Sequence, residues 1–366
     1  FTSVVEEYHF TLFLSHEMKK LVLLVLALVL ILSCGVNALA QTKIGVAMPT
    51  QSLQRWNQDG ANLKEQLESR GYIVDLQYAN NDVALQVSQL ENMILGGADI
   101  LVIASIDGSA LGTVLEVAKE EGIKVIAYDR LIMETDAVTY FTTFDNYLVG
   151  AMQGQYIVDA LDLDNIEGSV NIEVFAGSPD DNNAVHVYSG GFDAIKPYID
   201  SGKIVIPSGQ VEFERVATPE WSSERAQARM DNLIAANYTG DTELHAVLCP
   251  NDSTALGVAN SLAGAGFEEF PIITGQDCDV AAVKNIIAGR QWMSVFKDTR
   301  ILAARAVAMI EAITAGEEPE INDIESYHNG VFYVPTYLCE PVFADINNYE
   351  ELLIDSSYYT IKQISN

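Results

Sequence analysis

Short apolar runs recur along the chain, each four to eight residues long and flanked by Gly, Pro or Asp. They lie at 43–49 (KIGVAMP), 73–79 (IVDLQYA), 100–105 (ILVIAS), 124–129 (KVIAYD), 138–144 (VTYFTTF), 170–177 (VNIEVFAG), 203–209 (KIVIPSG), 246–250 (AVLCP) and 271–277 (PIITGQD). Rich in β-branched residues, they read as buried strands. Between most of them stand segments with apolar residues three and four apart, such as NLKEQLESRG, VSQLENMILGG, LGTVLEVAKEEG and AARAVAMIEAITAG, several stopping at Gly. Strand and helix in alternation predict an α/β protein with parallel sheets covered by helices on both faces.

Ligands of such sheets bind beyond the carboxyl ends of the strands, and polar residues gather there. Arg55-Trp56 follows the first run and Asp129-Arg130 follows VIAY. Asp180, Asp181, Asn182 and Asn183 follow VFAGSP, and Asn251-Asp252 follows VLCP. Asp277 follows ITGQ, and Lys297-Asp298 follows SVF. Six such clusters at equivalent strand ends predict one polar cleft.

Charge narrows the partners. Of 20 basic and 51 acidic residues, 18 and 48 lie beyond residue 40, a net −30 for that part. With no basic patch, nucleic acid and anionic membrane surfaces are disfavoured. The N-terminal stretch reads differently. Residues 1–17 lack a starting Met and read as upstream sequence translated in frame. Met18 opens a signal peptide, 18–40: Lys19 and Lys20, an apolar core Leu21 to Leu32, and a small-x-small site at Ala38-Leu39-Ala40. The apolar run, about a dozen residues, is short of the roughly 20 that span a bilayer. Cys34 in ILSC is a poor lipoprotein box, so release after Ala40 into the periplasm is expected. Cys249, Cys278 and Cys339 are too scattered for a disulfide framework or a metal knuckle.

Three chemistries could use clustered carboxylates. For a calcium loop, DLDNIEG (162–168) has Ile166 where Asp or Asn belongs, and no His pair has ligand spacing. For glycoside hydrolysis, Asp129, Asp181, Asp252 and Asp277 supply carboxylates, but their Arg and amide neighbours favour ionised hydrogen-bonding groups over a raised-pKa acid. Neither a G-x-S-x-G elbow nor a G-x-G-x-x-G fingerprint is present. For capture of a neutral polyhydroxyl ligand, Asp accepts, Arg and Lys donate, Asn does both, and Trp56 and Trp221 offer rings to an apolar C–H face.

IGVAMPTQSLQRW (44–56), LQYANND, VIASIDG, KVIAYDRLI, TFDN, GSPDDNNA, AQARMDNL, TGQD and FKDTR, in this order, resemble the ChvE-type multiple-monosaccharide-binding proteins and the wider xylose-, glucose- and galactose-binding proteins of bacterial ABC importers. The resemblance implies the type I periplasmic-binding fold, two doubly wound lobes joined by three hinge strands. It implies lobes of 43–144 with 278–315 and of 145–277 with 316–366, and crossings near Phe144-Asp145, Asp277 and Gly316. It implies a sugar held by Arg55, Trp56, Asp129, Arg130, Asp181, Asn182, Asn183, Trp221, Asp277 and Lys297, with Asn251 and Asp252 both candidates. No cofactor, metal or catalysis is implied. The partners would be a monosaccharide and an inner-membrane ABC permease, alternatively a sensor kinase or chemoreceptor, and the protein a monomer.

Overall fold

The computed structural model describes residues 41–240 and 242–365. The expected upstream segment 1–17, the signal peptide 18–40 and Cys34 lie outside them. The strands are β1 (Lys43–Met48), β2 (Ile73–Tyr78), β3 (Ile100–Ile103), β4 (Lys124–Tyr128), β5 (Val138–Phe144), β6 (Val170–Val174), β7 (Ile204–Val205), β8 (Ala246–Leu248), β9 (Ile272–Ile273), β10 (Met293–Phe296), β11 (Thr336–Cys339) and β12 (Val342–Asp345). The helices are α1 (Gln54–Glu68), α2 (Val83–Leu95), α3 (Gly112–Glu120), α4 (Asn146–Ala160), α5 (Asn182–Asp200), α6 (Phe213–Val216), α7 (Ser223–Asn237), α8 (Asp252–Gly264), α9 (Val280–Ile287), α10 (Thr299–Ala315) and α11 (Ile361–Ile364). None of the described helices is long and apolar enough to cross a membrane.

The first sheet runs β11-β5-β4-β3-β1-β2 with every pair parallel. Its central strand β3, ILVI, is buried at every position, as a strand covered on both faces must be. Leu90, Met93, Val114 and Leu115 from α2 and α3 pack on one face. Trp56, Leu63 and Leu67 from α1, with Leu302, Val307 and Ile310 from α10, pack on the other. The second sheet runs β7-β6-β8-β9. A parallel bridge between Gln276 and Val295 extends it to β10, and β12 adds to β10 antiparallel. Helices α4 and α5 cover one face and α7 and α8 the other. Cys249, Cys278 and Cys339 are buried and unpaired.

The pairing corrects the lobe boundaries that the resemblance implied. The chain crosses from the first sheet to the second between β5 and α4, at Asp145. The return is at Lys297-Asp298, between β10 and α10, not near Asp277: β10 is buried in the second sheet and α9 packs beside it. The last crossing lies between Cys339 and Val342, not near Gly316, because β11 pairs with β5 before the chain reaches β12. The second lobe therefore holds 278–296, and the first holds 299–339. The strand expected over 203–209 is two residues long, ending before Pro207, and that over 271–277 is also two residues long.

Helices α4 and α5 meet through glycine. A Cβ on Gly150 would lie 1.9 Å from the Val187 carbonyl oxygen, and one on Gly190 would lie 2.0 Å from that of Tyr147. Only a residue without Cβ allows two helix backbones this close. Gly150→Val is expected to destabilise the protein by about 2 kcal/mol or more, the range of core overpacking, read as a lower thermal midpoint. An unchanged midpoint would show that the helices separate without loss.

Candidate functional site

Between the carboxyl ends of the two sheets, Leu53, Arg55, Trp56, Asp129, Arg130, Asn146, Asp181, Asn183, Trp221, Asn251, Gln276, Asp277 and Lys297 line one pocket. The first lobe supplies Arg55 from the first turn of α1. Its Nε and Nη2 donate to Asp59 Oδ2, one helical turn on, at 3.1 and 3.0 Å. Its Nη1 lies 2.8 Å from Asp129 Oδ2 and 3.4 Å from Asp277 Oδ1. Asp129 and Arg130 follow β4 directly. Arg130 is anchored by Nη1 donating to the Ser105 carbonyl at 3.0 Å. The guanidinium carbons of Arg55 and Arg130 lie 4.4 and 5.1 Å from the Trp56 ring centroid, within reach of cation–π attraction.

The second lobe answers with Asp181, the N-cap of α5. Its Oδ1 accepts from the Asn183 amide at 3.0 Å, while its Oδ2 accepts from Trp221 Nε1 at 3.2 Å and faces Arg130 Nε at 2.9 Å. One carboxylate thus caps a helix, orients an indole and pairs with the opposite lobe. The Trp221 ring rests on Gly177, where a Cβ would lie 2.1 Å from the ring. Asn251 caps α8 through its oxygen, accepting from the Thr254 amide at 3.0 Å, so its amide nitrogen is the donor left for the pocket. Lys297, at the end of β10, places Nζ 3.6 Å from Asp129 Oδ2 and 3.8 Å from Asp277 Oδ1. The lobes touch directly: Asn183 Nδ2 donates to the Asp129 carbonyl at 2.7 Å, and the Gly108 amide to that of Asp180 at 3.2 Å.

Three cations and three carboxylates line the pocket, so its formal charge balances. Burial works to raise the Asp129 carboxyl, but Arg55, Lys297 and Arg130 outweigh it and hold the group below its ordinary value. At Asp181 burial outweighs Arg130 and the pKa rises. Burial also pushes Asp59 up, to about 6, against Arg55 and the Tyr128 hydroxyl. Three lining residues that are not glycine have left-handed backbone: Asp129 (φ 61°), Trp221 (φ 53°) and Asp277 (φ 96°). Such strain, of order 1–3 kcal/mol each, collects at functional sites. Asp129 Oδ2 is ion-paired with Arg55 and Lys297 but accepts no hydrogen bond of good geometry, and four further lining side chains carry a buried polar atom with no hydrogen-bond partner: Trp56 Nε1, Asn146 Oδ1, Asn183 Oδ1 and Gln276 Oε1. Buried polar groups are nearly always paired, so these atoms point to a ligand.

Of the twelve residues named from sequence, ten line this pocket and two do not. Asn182 is half-buried on the first turn of α5, outside the lining. Asp252 is committed elsewhere: Oδ1 accepts from Gln291 Nε2 and Ser294 Oγ at 2.9 and 2.8 Å, and Oδ2 from the Asp279 amide at 2.8 Å. It ties α8 to β10 and to the turn after Asp277. Sequence reasoning missed Leu53, Asn146 and Gln276. The last two stand inside the motifs TFDN and TGQD, each beside an Asp after an apolar run, and that adjacency was the available signal. Asp59 is hidden from sequence patterns, lying one turn inside a helix.

Residues 44–318 match the family described as periplasmic binding protein domain. A relative in Rhizobium radiobacter, the multiple sugar-binding periplasmic receptor ChvE, is 49% identical over 325 residues, 88% of this chain and 92% of its own. The D-xylose-binding periplasmic protein of Escherichia coli is 36% identical, over 93% of this chain and 98% of its own. The crystal structure of an ABC transporter solute-binding protein from Clostridium phytofermentans with bound β-D-glucose is 59% identical, with a TM-score of 0.87, over 88% of this chain and all of that one.

Gly177→Ala tests the seat of the second indole. Residues 41–366 contain Trp56, Trp221 and Trp292. Moving the Trp221 ring off its glycine into water is expected to red-shift the intrinsic emission while the far-ultraviolet dichroism stays that of the wild type. An unshifted emission would show that the ring does not depend on Gly177.

Proposed function

This chain belongs to the periplasmic binding protein domain family, a family of substrate-binding proteins and not of enzymes, and we propose that it captures one aldopyranose between its lobes and hands it to an inner-membrane ABC permease. Glucose, xylose and galactose are the sugars in view. The observation that carries this reading is the set of unpartnered atoms in a charge-balanced pocket. Three are acceptors and one is a donor, beside charged groups that accept and donate. A hydroxyl does both, so a neutral polyol meets every one, whereas an ion would upset the charge balance. The relatives support the same class: one is named for several sugars and one for D-xylose, and a solved neighbour holds glucose.

In this reading Arg55, Asp129, Arg130, Asp181, Asn183, Asn251, Asp277 and Lys297 grip the ring hydroxyls, and the indoles of Trp56 and Trp221 meet its C–H faces. Asn146 and Gln276 join them; Asn182 and Asp252 do not. The relatives named as periplasmic proteins support a periplasmic location. The word receptor in the name of the Rhizobium radiobacter relative favours a second reading, in which the closed form reports its sugar to a membrane sensor kinase or chemoreceptor. The neighbouring genes separate the two readings: permease genes beside this one would support import, and a lone kinase gene would support sensing.

Calorimetry against pentoses, hexoses and amino acids is expected to find an aldose bound at about micromolar affinity or tighter, near −8 kcal/mol. Heat from an amino acid and from no sugar would sink the reading. Asp129→Ala is expected to weaken that binding by about 2–4 kcal/mol, the cost of leaving Arg55 and a sugar hydroxyl without their charged partner; an unchanged affinity would remove Asp129 from the site.

Closure is a separate expectation. A sugar touching both lobes has more contacts when they close, so it shifts the population toward the closed form. Small-angle scattering should show a smaller radius of gyration in saturating sugar, and Asn183→Ala should weaken binding and this contraction together. An unchanged radius with binding confirmed in the same sample would indicate a rigid pocket.

A further inference from the structure

Arg55 is the most heavily contested group in the pocket. Its guanidinium stands within 3.4 Å of three carboxylates, Asp59, Asp129 and Asp277. Two of these line the pocket and one does not. Asp59 lies behind the wall, wholly buried, four residues along the same helix and so on the same face as Arg55. It takes Nε and Nη2 together on Oδ2, while its other oxygen, Oδ1, accepts from the hydroxyl of Tyr128 at 2.6 Å. Tyr128 is itself wholly buried and ends β4, the strand that carries Asp129. Helix α1 and strand β4 are thereby joined behind the pocket by the chain Tyr128–Asp59–Arg55, and in front of it by Arg55–Asp129.

Geometry gives this chain a consequence. Guanidinium and carboxylate pair best side by side, through two parallel N–H donors. Released from Asp59, Arg55 could turn Nε or Nη2 toward Asp129 and close such a fork. Both groups would then be spent on each other, with no donor or acceptor directed at a ligand. Asp59 holds two of the guanidinium nitrogens, so only Nη1 reaches Asp129 and Asp277. We propose that Asp59, braced by Tyr128, is a positioning residue that restrains Arg55 and keeps the Arg55–Asp129 pair open to a ligand in the cleft. The inference rests on the sugar-binding reading above for its affinity readout, but not for its structural one.

Both readouts use the protein from residue 41 onward. The first is the nitrogen-15 resonance of Arg55 Nε, assigned by its loss in Arg55→Lys. Held by a buried carboxylate, this N–H should exchange slowly with water and give a sharp signal without sugar. Asp59→Asn is expected to broaden or shift it, while Asp129→Asn, which touches only Nη1, leaves it in place. A signal unmoved by Asp59→Asn overturns the proposal.

The second readout is a double-mutant cycle on D-glucose and D-xylose binding. Asp59→Asn is expected to weaken binding about tenfold or more, and Tyr128→Phe by about threefold, the loss of one supporting hydrogen bond. Neither should weaken it further in an Arg55→Ala background, because their effect passes through Arg55. The same tenfold loss in that background would show that Asp59 acts by supporting the fold, and no loss in either background would show that it does not act. Should Asp59→Asn fail to fold, Tyr128→Phe still reads both quantities, and an unchanged signal with unchanged affinity would overturn the brace. Failure of the wild type to bind either sugar would count against the sugar-binding reading alone, and the Arg55 signal would still decide the positioning role.

Discussion

A buried guanidinium among carboxylates from both lobes is the constraint around which this molecule is arranged. Taking one ion out of water costs several kcal/mol even after relaxation, and an unpaired buried charge is among the most destabilising features a fold can carry. Arg55 is tolerable because Asp59 and Asp129 in its own lobe and Asp277 in the other surround it. Together the three outweigh the effect of burial on Arg55 and raise its pKa. Asp129 is in turn tolerable because of Arg55 and Lys297, and Asp181 because of Arg130. Every charge in the pocket therefore depends on a partner, and several of those partners lie across the cleft.

The strained backbone follows from the same constraint. Asp129 leaves β4 at φ 61°, a left-handed conformation uncommon for a residue with a Cβ, though Asp adopts it more readily than most. Its amide donates to the Thr142 carbonyl, and its own carbonyl accepts from Thr143 Oγ1 and Asn183 Nδ2. Those bonds fix the turn that aims the carboxylate at Arg55. Asp277 is similar, its amide held by the Val295 carbonyl of β10. Since β10 leads directly into Lys297, one strand positions both an acid and a base of the pocket. Asp252 grips that strand through Ser294 and Gln291, so it serves the site from behind without lining it.

How much of this was legible in the sequence depended on what each signal measures. The parallel α/β architecture was legible because strands covered on both faces leave unbroken apolar runs such as ILVIAS. The crossings near residues 297 and 340 were not, because lobe membership is decided by which strand a segment pairs with, and MSVF carries no mark of its partner. Edge strands β11 and β12 are partly exposed and gave no apolar run to read. In the pocket, residues at strand ends were legible from position alone. Position could not separate Asn251 from Asp252, adjacent in sequence, which the start of α8 turns to opposite tasks: one caps the helix and lines the pocket, the other anchors β10. Asp59 and Tyr128 were invisible for the opposite reason, since a helix interior and a strand terminus look like core.

The cross-lobe contacts also determine what a membrane partner could read. A ligand shifts an equilibrium only by the difference in its affinity for the two forms. Asn183 bonded to the Asp129 carbonyl and Arg130 paired with Asp181 favour the closed form without any sugar. The sugar need supply only the remainder, through hydroxyl contacts made by both walls at once. Moving such an equilibrium from 1:99 to 99:1 takes about 5.5 kcal/mol of differential binding, within the −8 kcal/mol of a micromolar complex. Arg130 reaches across the cleft to Asp181 at 2.9 Å, whereas Arg55 has its two nearest carboxylates, Asp59 and Asp129, in its own lobe and reaches across only to Asp277 at 3.4 Å. Restraining Arg55 from behind leaves its pair with Asp129 open on one wall and adds nothing to the contacts that hold the lobes shut. Lobe closure then depends on the few pairs that do cross the cleft and on a sugar able to bond both walls at once, which is what a partner sensing only lobe geometry requires.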